Sequence, residues 1–405
     1  MDGHARPAEL PELRECLASV QVRFRRPESR HALERSTTGW LTDRPHKNCD
    51  PLAQAVPGTS AQRLQECLTN MAWDEAELNR QRVQKMSAEA TRGHGVSVFG
   101  ETGFPTQGQT SGGVARRYSG TLGQVGNGQI AVTGCDTARR ATWPVAVQGY
   151  LPKTWASEAA RRQQARGPAE ISCQTTPAIA RRRLDQAPAW GGPHGGVAAD
   201  ADDGDHPHVW AGLAARQEPP VVAGRTAFPV RWRRGAPSRV WRGDARRQTV
   251  PRWPWRPGRW RRGAKGWWRK QLVAGRRWRL PSDGQGHEGG LLGERATRGQ
   301  PEERQDCRRD LPVEATRDER AGLAPRRPAL EPCHEEAKGE WGWDHDQGRL
   351  GPGFHRPAVT VMLAYRLRVW RERRQRRRHQ RQGRLGDLGS PSAAAPPPDS
   401  AGGPS

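Results

Sequence analysis

Between Glu9 and about Ser87 the apolar residues return every three or four positions. "PELRECLASVQVRF", "AQRLQECLTNMAW" and "DEAELNRQRVQKM" each place Leu, Val, Cys, Met or Trp on one helical stripe. The spacing predicts an all-helical N-terminal domain over residues 1–92. Within it, "DPLAQAVPGTSAQRLQECL" reads as a short helix, a turn at Pro57 and Gly58, and a second helix with Ser60 as its N-cap. That is the outline of a helix-turn-helix over residues 50–70, and equally of an ordinary pair of packed helices.

After Gly93 the period shifts toward two. "VSVFG", "GQIAVTG" and "TWPVAVQGYLP" read as short strands, "PAIARRRLDQA" as a helix, and "GGVAAD" as a buried strand ending in acids. Strands, a helix and a further strand in that order predict an α/β layer domain over 93–228. From 229 to 317 the chain is rich in Arg, Trp, Gly and Pro, as in "RWPWRPGRWRRGAKGWWRK", and its composition alone assigns no stable core. From 318 to 372 the helical pattern returns in "LEPCHEEAKGEWGW" and "PAVTVMLAYRLRVW"; the second is the most apolar helix in the chain and is expected to be buried. Residues 373–405 combine a basic run with "GSPSAAAPPPDSAGGPS", and composition predicts a disordered tail.

Charge changes the picture next. Lys and Arg number 67 against 43 Asp and Glu in 405 residues, a formal charge of +24, so the expected partner is a polyanion, nucleic acid before an anionic membrane. No apolar run is long enough to span a bilayer or act as a signal sequence, which points to a soluble, cytoplasmic protein with no membrane partner. The seven cysteines form an odd set without a CxxC pair, against both a disulfide framework and a zinc knuckle. A hydrophobic share of 34% is low, and 17 Trp beside 5 Phe and 3 Tyr predict a core that is hard to pack densely.

Three places set acids beside structure able to hold them: Glu101 after "VSVFG", the cluster Asp200, Asp202, Asp203 and Asp205 after "GGVAA", and Glu331 on the "LEPCHEEAK" helix. Carboxylates at strand ends and on a facing helix suit a two-magnesium phosphoryl-transfer site, because hard oxygen ligands from separate elements hold two ions a few ångströms apart. The "DADDGD" cluster does not meet the calcium-loop template, whose glycine falls one position later. Solvated surface acids are the plainer reading of each place taken alone.

The order of segments adds to this. "ETGFPTQG…GGVARRYSGTLGQVGNGQIAV", "ATWPVAVQGYLPKTW", "GGVAADADDGD", "HEGGLLGERATRGQPEE" and "HEEAKGEWGWDHDQGRLGPGFHR" follow one another, behind the helical stretch "RHALERSTTGWLTDRPHKNCDPLAQAV". The array, from about Arg23 to Trp370, resembles the DDE-type transposases of bacterial insertion sequences, the group named after insertion sequence seven-oh-one. The resemblance implies an RNase H-like catalytic domain interrupted by a β-rich insertion, which the Arg/Trp segment would form. It also implies Mg²⁺ or Mn²⁺ as cofactor, DNA (transposon ends and target) as partner, a homo-oligomer on DNA, and a bacterial, nucleoid-associated location.

Carried over position by position, the second catalytic aspartate falls on Asp200 and the catalytic glutamate on Glu331. Arg327, Glu331 and Lys338 reproduce the R-x3-E-x6-K part of a related signature, and on one helix they share a face able to grip DNA phosphates. An i,i+4 salt-bridged helix surface is the alternative for that trio, and Pro328 and Pro332 shorten or kink the helix.

The chain departs from the family pattern where the first catalytic aspartate belongs: it has Gly100, followed by Glu101 and Thr102. Glu101 substitutes only if the strand ends or bulges there, since adjacent strand residues point to opposite faces. The family's lysine after GFP is Thr106, the cysteine of its "NCQ" is Gly128, and the aromatic after "DAD" is Asp203. The sequence therefore carries three function classes: a transposase impaired at one metal ligand, a non-catalytic basic nucleic-acid binder, and a poorly folded product of a decayed transposase gene.

Overall fold

The computed structural model describes residues 11–19, 24, 26–89, 96–119, 124–138, 141–167, 174–190, 196–199, 213, 220–224, 256–262, 268–279, 288–296, 305–309, 330–345, 348 and 351–388. From 220 to 309 the backbone alone is described.

Five helices open the chain: α1 (Pro11–Ser19), α2 (Pro27–Trp40), α3 (Cys49–Ala55), α4 (Ala61–Thr69) and α5 (Glu75–Glu89). Local chemistry sets their ends. Pro27 occupies the first turn of α2, where its missing N–H has no helical partner to lose. Between α3 and α4 the chain reverses at Gly58, whose φ of +72° requires glycine, and the Ser60 side chain then caps α4 by accepting from the Arg63 N–H. Asp74 Oδ1 accepts from the N–H groups of Ala76 and Glu77 at 3.0 Å each and so starts α5.

The sheet follows, with β1 (Val96–Pro105), β2 (Ala115–Ser119), β3 (Gln124–Ala138) and β4 (Ala141–Gly149). Three helices come next, α6 (Lys153–Ser157), α7 (Ala159–Gln164) and α8 (Thr176–Ala189), then β5 (Val197–Ala199) and β6 (Pro220–Gly224). β1 pairs antiparallel with β3 and parallel with β5; β5 pairs parallel with β6, and β4 pairs antiparallel with β3. This mixed sheet agrees with the α/β class and is consistent with an RNase H-like domain.

The Arg/Trp segment supplies β7 (Arg256–Arg262), β8 (Trp268–Arg279), β9 (Glu288–Ala296) and β10 (Gln305–Arg309). They form an antiparallel meander that joins the same sheet where β10 pairs with β6. Composition alone left this stretch without structure; its described backbone is β-strand.

Two helices close the described chain, α9 (Leu330–Gly339) and α10 (Gly351–Leu388). Ala358, Val359, Val361, Met362, Leu363, Ala364, Tyr365 and Leu367 of α10 are all buried, as are Thr360 and Arg366 among them, so this part of the helix lies inside the molecule. It shares one cluster with Leu13 and Leu17 of α1, Leu33 and Trp40 of α2, Leu52, Leu64 and Leu78, and Phe104, Ala131 and Val147 of the sheet. The N-terminal helices thus pack around α10 and the sheet.

One expectation is corrected here. The basic run after Trp370, placed in an unstructured tail, continues α10 as far as Leu388; Arg and Gln are good helix formers, and the buried half of the helix has already met the cost of nucleation. Residues 389–405 lie outside the described residues. Among the described residues Trp40, Trp73, Trp143, Trp155, Trp341 and Trp343 are buried, and Trp73 and Trp155 donate their indole N–H to the carbonyls of Cys67 and Val114 at 2.7 and 2.8 Å.

Candidate functional site

The candidate site is built on β1, whose two faces are distinct because successive side chains alternate across a strand. Val96 and Val98 face α9: with Cys135 of β3, Ala198 of β5, and Leu330 and Cys333 of α9 they form one buried cluster. Phe99 faces the other way, into a cluster with Val132, Trp143, Val145, Val197 and the α8 residues Ile179, Ala180 and Leu184.

Along β1, Gly100 pairs with Thr133 and Glu101 with Val132, in a register with β3 that runs unbroken from Val96 to Pro105. The one register shift on β3 falls between Gly134 and Cys135 and concerns its other neighbour, β4, where Pro144 sits opposite Cys135. Gly100 therefore belongs to the α9 face, and Glu101 to the face of Val132.

Gly134 is needed where it stands. A Cβ there would meet the Phe99 ring at 2.6 Å, so the glycine gives that ring its place across β3.

A polar line crosses the α9 face beside Gly100. Thr133 Oγ1 donates to the Gly100 carbonyl at 3.2 Å and lies 2.6 Å from His334 Nε2. Which of the two groups donates in the second bond follows from the tautomer of the imidazole. Burial lowers the His334 pKa to about 4, helped by the charge of Lys338, so the ring is neutral at pH 7.

One turn on, Lys338 Nζ donates to the Gly103 carbonyl at 2.6 Å and stands 4.9 Å from the centre of the Phe104 ring. Burial lowers the Lys338 pKa, against the pull of Asp344.

The outer side of α9 is braced to α10. Arg368 Nη1 reaches Glu336 Oε1 at 3.4 Å and Glu340 Oε2 at 2.5 Å, and Tyr365 donates its hydroxyl to Glu336 Oε2 at 3.4 Å. Half-burial raises the Glu336 pKa while Arg368 pulls it back.

The residues singled out from sequence fare differently. Lys338 lies on the α9 face of β1, bonded to the Gly103 carbonyl. Glu331 is the second residue of α9, its side chain outside the described residues. Pro332 falls in the first turn of that helix, where no backbone donor is missed, so it demands no kink there. Asp200 and Arg327 lie outside the described residues.

The residue before Asp200, Ala199, pairs in parallel with Phe99, the residue before Gly100. Glu101 is exposed, and β1 neither ends nor bulges beside it, which is the condition its substitution required.

Among the described residues no group of three or more His, Cys, Asp or Glu side chains is placed to hold a metal ion. Position 100 offers a divalent cation no side-chain oxygen, so the described residues do not fit the first ligand of a two-ion site. His334 and Thr133 were not singled out from sequence. The signal for His334 was its spacing, three residues after Glu331 and four before Lys338 on one helix; Thr133 had none, because its role depends on which residue β1 sets opposite it. Among the described residues no helix is long and apolar enough to cross a membrane.

Comparison with protein families matches residues 19–281 to the family model of the DDE superfamily endonucleases. No curated protein matches the chain.

Proposed function

The chain belongs to the DDE superfamily endonuclease family, and from that membership we propose that it is a transposase of a bacterial insertion sequence whose strand cleavage and transfer is impaired at one metal ligand. The family's chemistry is nuclease-like, acts on DNA and generally uses divalent metals.

The observation that carries the reading is the parallel pairing of Phe99 with Ala199, with α9 packed on the Gly100 face of β1. Such a frame sets position 100 of β1 next to the end of β5, on the face against which the helix carrying Glu331 packs. In this reading Asp200 and Glu331 hold a Mg²⁺ or Mn²⁺ ion, which when bound supplies Lewis-acid chemistry at a DNA phosphate. Arg327 and Lys338 grip flanking phosphates, and the protein works as a homo-oligomer bridging two DNA ends.

Gly100 accounts for the impairment: with no carboxylate at that position, Asp200 and Glu331 would hold a divalent ion weakly, and the Lewis-acid chemistry it would supply would be poor. Glu101, exposed on the opposite face, does not replace it.

A second reading, a non-catalytic basic DNA binder, is favoured by that same glycine together with the charge of +24. A magnesium-dependent nicking assay on supercoiled plasmid separates the two. The transposase reading expects little nicking by the wild type, a gain with Gly100→Asp, and its loss in Gly100→Asp combined with Asp200→Ala. No gain with Gly100→Asp, in a variant that still binds DNA, leaves the binder.

A further inference from the structure

Two thiols meet under α9. Cys135 Sγ on β3 and Cys333 Sγ on α9 lie 3.0 Å apart, from residues 198 positions apart in the chain. Both side chains are buried, in a cluster otherwise made of Val96, Val98, Ala198 and Leu330. A cavity of about 20 Å³, room for one water-sized molecule, opens between the sheet, α9 and α10 and is lined by both thiols together with Thr133 and His334.

We propose that Cys135 and Cys333 are an oxidisable pair, closed to a disulfide by peroxide, that fixes α9 to the sheet. The contact needs to shorten by about 1 Å to reach the bonded distance of about 2.05 Å. Hydrogen peroxide is little larger than the water the cavity admits. In the net step the O–O bond of one peroxide breaks, the two thiols give up their hydrogens, the S–S bond forms and two waters leave. The sulfurs are oxidised and the peroxide is reduced; an external dithiol reverses the step.

The bond to Cys333 and burial hold the Cys135 thiol protonated, so the reaction is slow for a thiol pair, and the small cavity limits it to small oxidants. The bond ties the helix that carries Glu331 and Lys338 to the strand beside β1, and its formation does not depend on DNA cleavage.

Cys67 is the internal control: it is equally buried, its pKa is pushed up to about 12, and it faces no second thiol among the described residues. The test uses the full-length protein, reduced, freed of reductant, treated with hydrogen peroxide, alkylated and mapped as peptides without reduction. The expected map contains a peptide pair joined through Cys135 and Cys333, lost on dithiothreitol treatment, with Cys67 alkylated as a free thiol. Amide exchange over residues 330–339 is expected to slow about tenfold or more in the oxidised protein. Cys333→Ala removes the pair, and the wild-type map decides even if that variant folds poorly. Recovery of Cys135 and Cys333 as separate free thiols, or of Cys135 joined to another cysteine, overturns the pairing. Unchanged exchange over 330–339 overturns the fixing of α9.

Discussion

The two faces of β1 are one residue apart along the chain and differ in kind. On one, Phe99 lies across Gly134 against Val132, Trp143 and α8, in an apolar cluster beside the buried Ser97–Asp136 hydrogen bond. On the other, Gly100 leaves a gap in a row of small apolar residues, crossed by Thr133, His334 and Lys338. The first face holds the strand in place, and the second carries the polar line. An acid moved by one place along such a strand is therefore carried to the other side of the sheet, which is why Glu101 and a carboxylate at position 100 are not equivalent.

The largest effect is expected on the packed face. Phe99→Ala should cost about 3–5 kcal/mol, a large part of a typical total stability, and lower the urea midpoint accordingly.

The polar face should reveal itself by pH. His334 is lowered to about 4 in the folded protein, so its contribution is present above the ordinary histidine value of about 6.5 and is lost as pH falls toward 4, where the unfolded chain binds the proton more readily. The wild type is expected to lose up to about 3 kcal/mol more over that window than His334→Gln, which keeps a hydrogen-bonding group for Thr133 without titrating. Parallel urea unfolding curves at pH 7, 5.5 and 4.5 measure this.

Gly134→Ala tests the room left for Phe99. A Cβ at 2.6 Å from the ring forces a shift and is expected to cost about 1–3 kcal/mol in the same unfolding assay, less when Phe99 is also shortened to Leu. Smallest of these is Lys338→Met, about 1 kcal/mol: the bond to Gly103 and the contact with Phe104 are lost, while a half-buried charge is removed.

Much of this frame was legible from periodicity. The strand at "VSVFG", the helix at "PAIARRRLDQA", the Ser60 cap and the buried helix at "PAVTVMLAYRLRVW" each follow from local pattern, and all four are present. What local pattern could not give were relations between distant segments. The packing of the N-terminal helices around α10 depends on contacts across most of the chain, and Gly134 reads as a weak strand residue until Phe99 is placed over it.

At the candidate site, the lost ligand at Gly100 and the side on which Glu101 falls depend on alternation alone, which sequence could pose as a condition and register could meet. His334 beside Gly100 and Cys333 beside Cys135 required knowing which face of α9 meets the sheet. Composition misjudged the basic run after Trp370, because it weighs charge and not the buried helix that precedes it.

The central claim is that position 100, and not position 101, faces the helix that carries Glu331. The most direct test is Mn²⁺ binding, followed by the loss of the free-ion electron paramagnetic resonance signal, in the wild type, Gly100→Asp and Glu101→Gln. Binding should tighten at least about tenfold in Gly100→Asp, the equivalent of about 1.4 kcal/mol, and stay within about twofold of wild type in Glu101→Gln. Unchanged affinity in Gly100→Asp, or a loss of binding in Glu101→Gln, would contradict the account.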